Sequence, residues 1–124
     1  MLKHGVLAVL VAIMATVQVA EAQSKKGANG GMVVTSQGHP IEFVLRGQEL
    51  VFYVNDDDGS PLPTKDMRGR ATVQDGGKTA TVTLEPAAPN LMIGKLQAPV
   101  GSKARVVFTA NLHGHSLVAR YVTE

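Results

Sequence analysis

The stretch NDDDGSP at positions 55–61 places three carboxylates in a row, and clustered carboxylates are hard oxygen ligands of the kind that Ca²⁺ takes. In an EF-hand loop such ligands stand at positions 1, 3, 5 and 12, with glycine at position 6. With the glycine of this stretch at position 6, Asp56 and Asp58 fill positions 3 and 5. Val54 and Lys65 then stand at positions 1 and 12, so the sequence excludes an EF-hand.

The same stretch fits a tight turn at the end of a strand. Glycine supplies φ > 0 without steric cost, and Asp side chains accept hydrogen bonds from nearby backbone N–H groups. The alternating run ELVFYV precedes the aspartates, and Ser60-Pro61 follows them. We therefore predict a turn in which Asp56 and Asp58 bind the local backbone, with a weak cation site as the alternative.

Three histidines, His39, His113 and His115, offer a second kind of metal chemistry. Two imidazoles separated by one residue on a strand lie on the same face, and such nitrogen ligands suit copper, nickel or zinc. Gly114 between the last two more simply indicates a hairpin tip with solvent-facing side chains. The sequence yields the hypothesis of a weakly bound copper or zinc ion at His113, His115 and His39, with plain surface histidines as the alternative.

The N-terminus has the three-part pattern of a secretory signal peptide. Lys3 precedes an apolar run over residues 6–15, and Ala20-Glu21-Ala22 forms an A-x-A cleavage site. The run is shorter than the roughly 20 residues that a membrane-spanning helix needs, so we expect no membrane insertion after cleavage. The predicted organisation is a cleaved signal peptide over 1–22, a flexible tail over 23–30 and a single domain over 31–124.

The amino-acid composition limits the cell compartments and the classes of partner that fit this chain. The chain has no cysteine, which excludes disulfides, thiol catalysis and thiolate metal sites. A formal net charge of +2 with 4% aromatic residues does not give the basic stripe with stacking aromatics that nucleic-acid binding uses. An exported domain with neither disulfides nor N-x-[ST] sequons is typical of the bacterial periplasm, which is the predicted location.

Hydrophobic residues beyond position 30 recur with a period of two, as in IEFVLR, ELVFYV and TATVTL. Gly, Pro and Asp separate these runs, which indicates antiparallel hairpins. We predict an all-β fold, an antiparallel immunoglobulin-like β-sandwich of about seven or eight strands, with a small barrel as the alternative. Because the chain has no Trp and few other aromatic residues, its core is expected to be aliphatic. Alternation also predicts outward charges, which would discourage pairing between copies, at Glu42, Arg46, Arg105 and Arg120.

The segment 60–70, SPLPTKDMRGR, is the connection most suited to contact another protein. It is long, it ends with two arginines, and its Leu62 and Met67 are expected to be exposed. A solvated connection without a partner is the alternative reading.

Catalytic motifs are absent from the sequence. It contains no G-x-S-x-G elbow, no glycine-rich phosphate loop before a helix and no H-E-x-x-H. Adjacent aspartates in a loop have no fixed separation for acid–base catalysis. We therefore expect a protein that is not an enzyme.

Four short motifs lie between residues 30 and 121: Asp56-x-Asp58-Gly59-x-Pro61, Gly76-Gly77-Lys78, Val82-x-Leu84-x-Pro86-Ala87 and Ala119-Arg120-Tyr121. Together they resemble small periplasmic β-sandwich proteins and a β-domain of the periplasmic adaptor (membrane-fusion) proteins of heavy-metal efflux pumps. The resemblance implies an accessory role in copper- or zinc-class efflux. Adaptors of this kind commonly carry His-Gly-Gly where this chain has Asn29-Gly30-Gly31, a departure that removes one candidate ligand.

Two functions from different classes follow. The first is a periplasmic binding or accessory module associated with heavy-metal efflux, with an efflux-system protein as partner. The second is a structural or protein-interaction module of the cell envelope that has no metal role. In that case a partner would be bound at a sheet edge by strand addition, or at a loop.

Overall fold

The structure, a computed structural model, describes residues 25–124, and this part of the chain is all-β without a helix. The predicted signal peptide with its cleavage residues Ala20 and Ala22 lies outside the described residues. Within them no helix is long and apolar enough to cross a bilayer. The strands are β1 (Lys25–Lys26), β2 (Met32–Ser36), β3 (His39–Arg46), β4 (Glu49–Val54), β5 (Arg68–Asp75), β6 (Lys78–Ala87), β7 (Leu91–Lys95), β8 (Arg105–Leu112) and β9 (His115–Val122).

These nine strands form one curled antiparallel sheet in the order β1-β2-β3-β4-β7-β6-β5-β8-β9. The curl brings β9 back to the N-terminal strands: the Val118 N–H donates to Ser36 Oγ at 2.9 Å. The Tyr121 hydroxyl donates to the Ile41 carbonyl oxygen at 2.7 Å. One strand more than expected arises because Lys25 and Lys26, in the segment predicted as a flexible tail, pair with β2.

Strand β6 belongs to both halves of this sheet. Residues 78–84 pair with β5, whereas residues 85–87 pair with β7. We call β1, β2, β3, β4 and β7 the first half-sheet, and β5, β8 and β9 the second half-sheet. A two-residue turn at Gly76-Gly77, with φ of 54° and 84°, joins β5 to β6 and fits glycine because both angles are positive.

The core between the half-sheets has an aromatic centre. The ring of Phe52 lies 5.1 Å from that of Phe43 and 4.7 Å from that of Phe108, between centroids, and Tyr121 lies 5.2 Å from Phe43. The expectation of an aliphatic core is therefore wrong at its centre, because four strands each contribute one aromatic ring to the same place. The other buried members are Ile41, Leu50, Val54, Met67, Ala71, Val73, Leu84, Met92, Leu96, Ala104, Val106, Ala110, Leu117 and Ala119.

The connection between β4 and β5 is anchored to the domain. Thr64 is buried, and its hydroxyl donates to the Leu91 carbonyl oxygen at 2.8 Å. Met67 is 4% exposed and joins the core, and Leu62 packs against the core partly buried. The expectation that Leu62 and Met67 are exposed is wrong, because the Leu62 N–H donates to the Val54 carbonyl oxygen at 3.1 Å and the Met67 N–H donates to the Thr64 carbonyl oxygen at 2.9 Å, which holds this connection against the domain.

Glu42 corrects a second surface prediction. Its carboxylate lies on the outer side of β3, yet the residue is only 3% exposed because the loop 27–31 folds over it. The carboxylate accepts hydrogen bonds from the backbone N–H of Asn29 at 3.0 Å, from the Asn29 side-chain amide at 2.9 Å and from the Gly31 N–H at 2.7 Å. Burial, and then the negative charge of Glu42, raise the pKa of Tyr121 above its usual value.

Candidate functional site

The aspartate stretch forms the predicted turn. The Gly59 N–H donates to the Asp56 carbonyl oxygen at 2.9 Å, and Gly59 has a φ of 86°. The Asp57 N–H donates to Asp56 Oδ1 at 2.8 Å, and the Ser60 N–H donates to Asp58 Oδ1 at 2.9 Å. Hydrogen bonds from the Ser60 hydroxyl and then from its N–H lower the pKa of Asp58. Asp56 and Asp58 therefore bind the local backbone, as the sequence predicted.

Asp56, Asp57 and Asp58 offer ligand atoms within 4.8 Å of one another, and they form the single group of three such residues in the range 25–124. His39 lies beside them, with Nδ1 3.8 Å from Asp56 Oδ1 and 3.1 Å from the Asn55 carbonyl oxygen. The hydrogen bonds of the turn already account for the positions of Asp56 and Asp58. The cluster is therefore explained by local structure.

The structure places His113 and His115 at the tip of the β8–β9 hairpin. His113 and Gly114 form its two-residue turn, with φ of 47° and 80°, and Leu112 pairs with His115 across it. Both histidines are exposed, and only His115 lies on a strand, so the two do not share one strand face. Within the described residues, His39 joins neither of them in a group of three potential metal ligands, because it begins β3 beside the Asp56 turn.

We expect Cu(II) and Zn(II) to bind the protein with a Kd weaker than about 1 μM, which corresponds to about −8 kcal/mol. Two exposed imidazoles provide fewer ligands than the three or four side chains of protein zinc sites. Isothermal titration calorimetry on the unmodified protein, on a His113→Ala/His115→Ala variant and on a matched His39→Ala variant measures this. Tight binding near one equivalent that the double variant abolishes would contradict the expectation and restore a metal site at the hairpin.

A cleft between β6 and the end of β7 was not apparent from the sequence. The two strands pair only from Glu85↔Ile93 to Ala87↔Leu91, and then diverge. Gly94 lies at the closed end of this cleft, where a Cβ would stand 2.7 Å from Leu84 Cδ2. Beyond it, residues 78–82 and 95–100 line a cavity of about 580 Å³.

The cleft leaves one edge of β6 unpaired. Residues 78–84 pair with β5 on one side, and no strand of the described chain pairs with residues 78–83 on the other. Because a two-residue turn makes Asp75 and Lys78 a hydrogen-bonded pair, every second residue points its backbone groups to the free side. These residues are Thr79, Thr81 and Thr83.

No sequence pattern indicates this free edge, because the partner of each strand depends on residues distant along the chain. KTATVT is rich in β-branched residues and has one charge, which suits a paired strand as well as an edge. The fold and the cleft define the described chain as an all-β domain in which residues 78–83 of β6 have a partner strand on one side only. No protein-family model, no curated protein and no solved structure matches this chain.

Proposed function

We propose that the protein is an exported, non-catalytic interaction module of the bacterial envelope, and that it binds an extended segment of a partner protein by strand addition along β6. The observation that carries this proposal is the unpaired edge at residues 78–83. Strand addition supplies main-chain hydrogen bonds for affinity and leaves alternate side chains to specify the partner.

The cleft has the chemistry for such a segment. Three N–H and three C=O groups of Thr79, Thr81 and Thr83 are available to a strand laid about 4.8 Å away. Lys78 and Lys95 also line the cavity, whereas the Asp75 carboxylate is engaged by the Gly101 N–H at 2.9 Å. An acidic residue in the bound segment is therefore favoured.

An immunoglobulin-like sandwich is part of the same proposal. The first half-sheet contains the neighbours β3, β4 and β7, and the second contains β5, β8 and β9. This arrangement corresponds to strands A-B-E and C-F-G of the immunoglobulin fold, with β6 passing from one sheet to the other. The A-x-A pattern before residue 23 supports export to the periplasm.

The resemblance to adaptor β-domains supports an efflux-system protein as the class of partner. A direct metal role has less support, because His39, His113 and His115 lie at two separate turns. The metal-accessory function therefore depends on the calorimetric result described above, whereas strand addition needs no metal.

The test uses extended peptides selected from a displayed random library against the purified protein. We expect selected peptides to protect the amides of Thr79, Thr81 and Thr83 from hydrogen exchange. A Thr81→Pro variant should weaken binding about tenfold or more, because it removes an outward N–H while leaving the β5 ladder intact.

The matched control is Thr81→Val, which keeps the N–H and the β-branched shape. It should bind the peptides as the unmodified protein does. Equal affinity for Thr81→Pro and Thr81→Val, or protection confined to other strands, would rule out strand addition at β6.

A further inference from the structure

The outer face of the second half-sheet carries four of the five arginines of the chain. Register puts them on one side: Arg70 is opposite Thr109, Arg68 opposite Asn111, Arg105 opposite Val122 and Arg120 opposite Val107. The residues between them, such as Ala71, Phe108 and Ala119, are buried in the core. We call this surface the arginine face; its outward residues are Arg68, Arg70, Thr72, Gln74, Arg105, Val107, Thr109, Asn111, Ser116, Val118, Arg120 and Val122.

No acidic residue occupies any outward position of the arginine face. None of its arginines forms an ion pair with another residue of the range 25–124. The outward residues of the neighbouring strand β6 include one carboxylate, that of Glu85, which lies at one corner of the arginine face. The chain carries a net charge of only +2, yet four positive charges without acidic neighbours lie on one face. Positive charge is therefore concentrated on the arginine face.

A shallow depression in this face has several hydrogen-bond donors at its rim. It has a volume of about 290 Å³. Guanidinium groups present forked donors that match phosphate oxygens, and threonine hydroxyls and the asparagine amide add further donors. The side chains at its rim are those of Arg68, Arg70, Thr83, Thr109 and Asn111.

Exposed aliphatic side chains lie next to the charges. Val118 is 36% exposed and Val122 is 50% exposed, and they are the exposed large hydrophobic residues of the described chain. Both flank Arg120 along β9, and Val122 is opposite Arg105. At the surface of a lipid bilayer, an arginine can contact the phosphates while an aliphatic side chain beside it reaches the boundary between headgroups and acyl chains.

We propose that the arginine face docks on the headgroups of an anionic phospholipid bilayer. Its exposed valines and the lack of aromatic side chains among its outward residues favour a bilayer surface over a nucleic-acid strand, which would call for aromatic residues on which bases stack. Each arginine near an anionic leaflet contributes an attraction that salt screens. This surface adjoins the β6 edge that the proposed function uses at Thr83, but its four arginines lie on β5, β8 and β9.

Vesicle co-sedimentation tests the proposal with protein purified after export from cells expressing the full chain. Vesicles of phosphatidylglycerol and phosphatidylcholine should bind the protein, and vesicles of phosphatidylcholine alone should not. Binding should fall steeply between 50 mM and 500 mM NaCl. An Arg105→Gln/Arg120→Gln variant and an Arg68→Gln/Arg70→Gln variant should each weaken it about twenty-five-fold, which is about fivefold for each arginine.

The matched control is Lys26→Gln/Lys65→Gln, which removes the same charge from two exposed lysines outside the arginine face. It should keep nearly full binding. An equal loss in this control, or equal binding to both kinds of vesicle, would overturn the proposal. No vesicle binding together with salt-sensitive binding to polyglutamate would also overturn it, and would assign the face to an acidic protein instead.

Discussion

Replacing Phe52 with alanine is expected to lower the free energy of unfolding by about 3–5 kcal/mol. Its side chain is fully buried, and its ring contacts Phe43, Phe108 and Tyr121 from both half-sheets. Truncation removes transfer free energy, leaves a cavity and ends three aromatic contacts at once. Urea unfolding followed by circular dichroism measures the loss, since the chain has no tryptophan to report by fluorescence.

Two variants give this result its meaning. Tyr53→Ala removes the neighbouring ring, which is half-buried on the outer face of β4, and should cost much less. Phe52→Leu keeps most of the volume and should cost about 1.5 kcal/mol or less. If Phe52→Ala were no more destabilising than Tyr53→Ala, the aromatic centre would not be the main source of core stability.

The second large effect is expected from Glu42→Gln, which should lower the free energy of unfolding by about 2–4 kcal/mol. The carboxylate accepts hydrogen bonds from two N–H groups of Asn29 and one of Gly31. A glutamine amide presents its own NH₂ toward these donors and loses the charge that strengthens their bonds. The same urea unfolding measures the change, and proteolysis of the loop 27–31 should become faster.

The control for this variant is Glu85→Gln, an equal change of charge at an exposed residue. It should alter the free energy of unfolding by no more than about 0.5 kcal/mol. A loss for Glu42→Gln as small as that for Glu85→Gln would mean that water solvates the carboxylate, contrary to the covering loop.

Local pattern was sufficient to predict the strands and most of the inward residues. Ile41, Phe43, Leu50 and Phe52 alternate in sequence, and all four are buried. The turns were also predictable, because positions such as Gly59 need a positive φ that few residues other than glycine adopt without strain. Both signals act over two to four residues and can be found without knowing which strands pair.

Long-range contacts could not be predicted in this way. Glu42 looks like an outward charge until the loop 27–31 covers it, and its partner Asn29 is separated from it by 13 positions. Asn90 is buried and donates to the Val54 carbonyl oxygen at 3.0 Å, although it resembles an ordinary loop residue. The three histidines do not form one group for the same reason, because their spacing in the sequence does not indicate which turns lie close together in the fold.

Strand β6 also determines how the domain unfolds, because it passes from one half-sheet to the other. Residues 78–84 are paired with the second half-sheet and residues 85–87 with the first, so neither half can detach without pulling on the same strand. The two halves therefore cannot behave as separate foldons that open one at a time. The domain should unfold as one cooperative unit, with the amides of Leu84 and Glu85, which are paired to β5 and β7, among the last to exchange with solvent.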